Sequence, residues 1–406
     1  MVKNNNIDIL AVILDVGLTL DNSAVFQSQV MDQLIALKNI GYKVGILCVY
    51  SKKEVFINDI VKQFKENDID VFYQKDRGLI KNMLFMVKTI KILKNKISIS
   101  NAYVRGIWGA LCLILANPIS TVPYVYDLRG DMLDEMKASG TGFLKSSIYI
   151  FLEKLSILYA QNLSAVSSVL KNIIHKRIWT TKDIYIIPSC INFNKFQITD
   201  EEILFKKNQL NILNEDIVLL YSGGLSYYQK VPEMLELWRR LHAENIGIKF
   251  ILLTNSDPHS LPSEIPSLES FGPSLQIFNL SRSEVFSMLS IADMAFLLRD
   301  DRNLNKAASP VKFAEYIASG AAVIGSPDTG DTSKHILDSN IGLLISPSDL
   351  DYKYNDLLNF ISLLRSEKKS ISKRSINLAI KYYDWKSYKK TFHQIYGLPK
   401  SLGNKG

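Results

Sequence analysis

Cysteine is scarce in this chain: three residues in 406, Cys48, Cys112 and Cys190, far apart and odd in number. That implies neither a disulfide framework nor a clustered metal site, and it fits a reducing cytoplasm. Long apolar runs are also missing. The longest fall well short of the roughly 20 residues a bilayer span needs, and Ile7 to Val16 reads as a strand rather than the apolar core of a leader. A soluble or peripheral protein is expected. Two nucleotide motifs are absent as well: no G-x-G-x-x-G follows the first apolar run, where Gly17 stands alone, and no Gly-Lys-Ser or Gly-Lys-Thr occurs. A dinucleotide enzyme and a P-loop enzyme are therefore both poorly supported.

What the chain does have is apolar content, 47% against 22% charged, enough for two or three domains with their own cores and too much for extensive disorder. Its net charge of +8 admits nucleic acid, an anionic membrane or anionic small ligands as partners, and charge alone does not choose among them. The segment Arg77 to Lys96 is basic without a single acidic residue and carries many apolar positions. It reads either as a helix lying on an anionic leaflet or as one packed on its own sheet with solvated lysines.

Two α/β halves follow from the alternation of apolar runs with helical patterns. Strands are expected at 7–16, 43–49, 69–73, 97–104, 121–126, 163–166 and 184–187 in the first half. The second half offers 217–221, 248–254, 275–278, 292–298, 321–325 and 342–345. The break falls near Pro188 to Asp200, giving an N-terminal unit 1–195, a second 196–380 and a closing segment 381–406. Two doubly wound sheets facing across a cleft are the expected architecture, with strand carboxyl ends lining the cleft.

The most informative stretch is Ser309 to Gly325, SPVKFAEYIASGAAVIG. Ser309 is a natural N-cap, Pro310 suits the first helical position, and Gly320 closes the helix before an apolar strand. Helical spacing puts Lys312, Glu315, Tyr316 and Ser319 on one face, opposite Phe313 and Ile317. A lysine and a glutamate thus project together, near the loop 299–308 that follows another strand. The alternative is an ordinary surface salt bridge. A second loop, YSGGLSYYQK from Tyr221 to Lys230, leads from a strand through Gly223 and Gly224 to a helix start, where free backbone amides suit phosphate. A plain tight turn explains it equally.

These motifs resemble those of family 4 retaining glycosyltransferases with the GT-B fold, and the resemblance covers nearly the whole length. SPVKFAEYIASGAAVIG is similar to the family's most specific signature, which implies that Glu315 holds the donor ribose. YSGGLSYYQK resembles its glycine loop, IIPSCINFNKF (Ile186 to Phe196) its linker, YDLRGDMLDE (Tyr126 to Glu135) an acceptor-domain segment of capsule and lipopolysaccharide enzymes, and the segment Tyr382 to Gly397 its closing helix, which crosses back to the first domain. Arg129 stands where many relatives carry histidine. The chain departs from the pattern at Ala307, where a first glutamate is usual, and at Gly224 and Gln229, where an arginine and a lysine are usual, with Lys230 displaced by one.

The resemblance implies transfer of a sugar from a UDP- or GDP-sugar to a saccharide acceptor, lipid-linked, in surface-polysaccharide synthesis. It implies front-face displacement with retention, in which the departing diphosphate helps deprotonate the acceptor hydroxyl. Expected catalytic residues are Arg129, Lys312 and Glu315. Donor contacts are expected from Gly17, Gly223, Gly224, Lys230, Arg299 and Ser309, with Lys306 a further cation, and acceptor-side contacts from Arg105, Asp127 and Arg129. No cofactor is expected, the nucleotide-sugar being a substrate. No metal is expected either, because Asp300 with Asp301, and Asp127 with Asp131, offer too few converging oxygens. The expected location is cytoplasmic, with peripheral attachment to the inner face of the cell membrane. A catalytically silent GT-B scaffold and a GT-B sugar-nucleotide epimerase are the competing readings.

Overall fold

The computed structural model describes residues 6–15, 18–20, 24–51, 57–116, 118, 122–244, 246–257 and 272–400. The chain forms two compact units, Met1–Cys190 with Trp385–Gly406, and Ile191–Asp384. The division at 190/191 falls inside the Pro188 to Asp200 segment.

The first unit is built on seven parallel strands: β1 (Asn6–Ile13), β2 (Val44–Tyr50), β3 (Asp70–Lys75), β4 (Ser98–Arg105), β5 (Tyr124–Leu128), β6 (Asn162–Ala165) and β7 (Ile184–Ile186). Their spatial order is β3-β2-β1-β4-β5-β6-β7. β1 is central, and Ile9 to Ile13 are fully buried, as a strand covered by helices on both faces must be. The chain winds outward from β1 in both directions, so β1 and β4 flank the switch point where loops diverge and a crevice opens. The closing segment joins this unit. Trp385, Phe392, Ile395 and Tyr396 sit in its core with Tyr42. Asn101 Nδ2 donates to the Tyr396 carbonyl at 3.0 Å and Asn162 Nδ2 to that of Ile395 at 2.7 Å.

Six parallel strands form the second unit: β8 (Ile217–Ser222), β9 (Ile248–Leu253), β10 (Leu275–Phe278), β11 (Met294–Leu297), β12 (Ala322–Gly325) and β13 (Gly342–Leu344), in the order β10-β9-β8-β11-β12-β13. Its switch point lies between β8 and β11. All thirteen expected strands are present within a few residues of their expected ends.

The helix of the signature runs Val311–Ala318, with Pro310 rather than Ser309 in the capping position and no side-chain cap. The start therefore lies one residue later than expected. Both faces of this helix are covered: Phe313 through Ala318 are all buried, Glu315 and Tyr316 included. The helix packs against the sheet and the long helix Tyr354–Tyr382, which leaves it no solvent face.

Candidate functional site

At the switch point of the second unit, β8 ends at Ser222 and the chain turns through Gly223 and Gly224. Gly223 has φ +150°, and a Cβ on it would fall on the Lys312 ammonium. The lysine enters from the first turn of the Val311–Ala318 helix. Its Nζ donates to Tyr221 Oη at 3.0 Å and to Gln229 Oε1 at 3.0 Å, and lies 4.5 Å from the centre of the Tyr221 ring. Burial, and then the Arg299 charge, hold Lys312 well below the ordinary lysine range, while Glu315 opposes the shift. An ammonium held among neutral partners, with a second cation beside it, is poised to take a charged anion.

The first two amides of the glycine loop are taken within the protein. The Gly223 N–H donates to the Leu253 carbonyl at 2.8 Å, extending the pairing of β8 with β9, and the Ser222 N–H donates to Tyr316 Oη at 3.0 Å. The glycine provides room for Lys312 instead. Gly224 accepts from Tyr221 Oη through its carbonyl at 2.6 Å. Gln229 holds Lys312 through its side-chain oxygen. Lys230 adopts φ 55° at the head of the helix Val231–Ala243, and its Nζ pairs with Glu233 at 2.8 Å and lies 4.8 Å from the centre of the Tyr227 ring.

Arg299 follows β11 closely, and its backbone N–H donates to Ser326 Oγ at 2.8 Å. Its guanidinium lies 5.3 Å from the Tyr228 ring centre, and its Nε is buried with no hydrogen-bond partner among the described residues. Asp300 is occupied by Arg302 and Asn305. Lys306 ends the short helix Asn303–Lys306, Ala307 is fully buried, and Ser309 precedes the signature helix.

Glu315 and Lys312 do not pair, which removes the surface salt bridge of the sequence reading. Glu315 is 2% exposed and bonded to Arg282, whose guanidinium stacks over Phe286 at 4.9 Å. Lys312, Gly223, Gly224, Arg299 and Glu315 therefore belong to one region of this unit. Arg282, Gln229 and Tyr221 join them without having been anticipated. Gly17 lies outside the described residues.

The acceptor-side candidates meet in the first unit, around a cavity of about 480 Å³ at the carboxyl ends of β1, β4 and β5. Arg105 ends β4, buried, its Nη1 donating to Gln29 Oε1 at 2.9 Å. Gln29 sits in a π-helical turn, Gln27–Met31, a local widening common where a side chain is aimed at a site. Asp127 near the end of β5 accepts from Tyr103 Oη at 2.6 Å and Ser164 Oγ at 2.8 Å. Arg129 follows, its Nε 3.5 Å from Asp127 Oδ2, with Nε and Nη2 buried and without hydrogen-bond partners among the described residues. The ion pair of Arg129 is thus with Asp127; Asp131 instead caps the helix Met132–Ala138 and bonds Arg177.

The same cavity holds Glu135, at the end of the YDLRGDMLDE motif, and groups the motifs did not signal: Glu153 and the edge-on aromatic pair Trp108 and Tyr149, 5.5 Å apart. Burial pushes the Glu153 carboxyl up to about 7 against the opposing pull of Arg177, and burial followed by Asp15 raises Glu135. Carboxyl groups, guanidiniums and aromatic rings around one cavity suit a polyhydroxylated ligand. Among the described residues no group of His, Cys, Asp and Glu side chains converges in a way that could hold a metal ion.

No family model matches the chain, and no curated protein matches its sequence. Solved structures do. A glycosyltransferase from Rickettsia africae matches at a TM-score of 0.70 and 14% identity, covering 99% of this chain and 100% of the other. HepE from Anabaena, solved with UDP, matches at 0.69 and 12%, covering 95% and 98%. Sucrose-phosphate synthase from Thermosynechococcus elongatus matches at 0.67 and 14%, covering 98% and 99%. At such identities the likeness speaks for the fold: two Rossmann-like units with parallel sheets of seven and six strands, the GT-B architecture of these glycosyltransferases.

Proposed function

We propose that the chain is a retaining, metal-independent glycosyltransferase of the family 4 type, moving a sugar from a UDP- or GDP-sugar to a lipid-linked saccharide in surface-polysaccharide synthesis. The observation that carries this reading is the Lys312 ammonium seated against Gly223 at the switch point of the second unit, with Arg299 beside it. Two cations there match the charge of a donor diphosphate. In the reaction the bond from the anomeric carbon to the diphosphate oxygen breaks, the bond to the acceptor oxygen forms, and the acceptor proton passes to the departing diphosphate. Lys312 and Arg299 stabilise that leaving group, and the site acts by positioning and electrostatics. Glu315 accepts from the ribose hydroxyls when it exchanges Arg282 for the donor. The first unit takes the acceptor beside Arg105, Asp127 and Arg129, with Trp108 and Tyr149 as stacking surfaces. The nucleotide-sugar is the substrate and no cofactor takes part.

Calorimetric titration with UDP, GDP and the matching nucleosides tests the donor site. Each charged contact is worth about 1.5–3 kcal/mol, or about 10- to 150-fold in affinity. Lys312→Met should lose the preference for diphosphate over nucleoside, whereas Glu315→Gln should weaken both. A bound diphosphate favours charged Lys312, so above its depressed pKa binding takes up a proton and affinity falls as pH rises. Unchanged affinities in both variants would remove the donor site.

A catalytically silent scaffold is the competing reading, favoured by Ala307 and by the Arg282 bond that occupies Glu315. Transfer or hydrolysis of any nucleotide-sugar by the purified protein excludes it.

Peripheral membrane attachment is part of the proposal. The helix Leu79–Lys96 buries Asn82, Met86, Ile90 and Leu93 and exposes Ile80 and Leu84 beside Lys81, Lys88 and Lys91. The helix Ile107–Ala116 packs between it and the helix Phe143–Tyr159. The latter exposes Phe143, Leu144, Ile148 and Phe151, and its one carboxylate, Glu153, is buried. An apolar stripe bordered by lysines suits an anionic leaflet, at about 1 kcal/mol per basic residue. The protein should co-sediment with anionic vesicles and leave them as salt rises; equal sedimentation with neutral vesicles would contradict the attachment. Among the described residues no helix is long and apolar enough to cross a membrane.

A further inference from the structure

We propose that the second unit carries another ligand site, at the opposite strand ends of its sheet from Lys312, for a small phosphate monoester with an apolar body. A cavity of about 750 Å³ opens at the amino ends of β11 and β12. Phe193, Phe196, Ile203 and Ile376 line it on the apolar side, and Lys207, Lys368, Lys369 and Lys373 on the basic side, against two carboxylates, Asp200 and Asp293. Asp200 is exposed on the first turn of the helix Asp200–Gln209.

Lys207 is the unusual member. It is 8% exposed, more deeply covered than lysines commonly are unless paired. The nearby carboxylate is already committed: Asp293 Oδ1 takes Lys368 Nζ at 2.5 Å and Oδ2 takes the Val218 N–H at 2.9 Å. No acceptor among the described residues bonds the Lys207 ammonium, which borders the cavity. Burial lowers its pKa, the Lys368 charge adds to the lowering, and Asp293 and then Asp216 oppose it. Of the two buried carboxylates that act on Lys207, Asp293 is bonded to Lys368 and Asp216 lies with Lys249 and the Leu213 N–H, so the Lys207 ammonium has no bonded acceptor at the cavity wall, and a buried charge without a bonded partner is costly. Lys368 and Lys369 directly follow Glu367, where the long helix Tyr354–Tyr382 is kinked at φ −115°, ψ 17°. A phosphate dianion placed between Lys207 and Lys373 supplies the missing acceptor, and the phenylalanines accept its apolar body. The site shares no residue with the donor region and stands whether or not the proposed transferase reading does.

Phenyl phosphate is the probe, with inorganic phosphate and phenol as comparison arms, each titrated calorimetrically into the full chain. Phenyl phosphate should bind at one site with at least tenfold preference over both comparison compounds. Lys207→Met should weaken it at least tenfold and Lys373→Glu, on an exposed residue, at least threefold, whereas Lys312→Met should leave that affinity unchanged. Lys207→Met should also melt no lower than the parent, because it removes a buried charge that lacks an acceptor. No binding, equal affinity for inorganic phosphate, unchanged affinity in Lys373→Glu, or loss confined to Lys312→Met would each overturn the proposal.

Discussion

Gly223→Ala should cost nucleoside-diphosphate affinity about 100-fold, as much as removing the Lys312 ammonium itself. The substituted methyl occupies the place of Nζ, so the lysine must leave its seat between Tyr221 and Gln229. The backbone adds to the effect, because φ +150° is a conformation that side chains other than glycine rarely adopt, at a cost of order 1–3 kcal/mol. Turnover should fall with affinity. The decisive measurement is the double variant Gly223→Ala/Lys312→Met. If the glycine acts only by making room for the lysine, the double variant binds nucleoside diphosphate no more weakly than the weaker single variant, since the two changes remove the same interaction. Additive losses would show that the glycine contacts the donor independently of Lys312.

Arg129→Ala should lower turnover by about 100-fold while nucleotide affinity stays as in the parent, the scale expected when a contact that positions the acceptor is lost. The fold should survive, because Asp127 keeps its bonds from Tyr103 and Ser164. Arg129→Lys should not restore turnover, since an ammonium cannot reproduce the directions of a guanidinium whose Nη1 already reaches the Ile187 carbonyl at 3.5 Å. Steady-state rates with a saturating donor, alongside the titrations above, separate the cases. Parent-like turnover would leave Arg129 as an internal counter-charge to Asp127 and nothing more.

The unoccupied nitrogens of Arg129 and Arg299 support both expectations. Each guanidinium is partly buried and keeps at least one N–H without a hydrogen-bond partner among the described residues. Such groups are costly in a core devoted only to stability, and they are common where a ligand completes the set.

What the sequence by itself determined is the local order of the chain. A parallel strand covered on both faces must be apolar throughout, so the runs at Ile7 to Val16 or Ile217 to Tyr221 announce themselves without reference to anything distant. Glycine at 223 was legible for the same reason, since a turn after a strand needs backbone freedom that few residues have. The partners were not legible. Lys312 meets Gly223, Tyr221 and Gln229 across more than eighty residues, and Glu315 meets Arg282 across thirty-three. Helical spacing on the signature helix placed Lys312 and Glu315 together, but it carries no information about which neighbouring element buries each side chain. The sheet order decided that. Setting β11 beside β8 brings Arg299 and the glycine loop to one crevice, and packing the short helix beneath that loop turns its lysine inward. Glu135 and Glu153 likewise became notable only when the helices carrying them closed around Arg105, because a carboxyl group's pKa is set by burial and by charges that only the folded chain brings near.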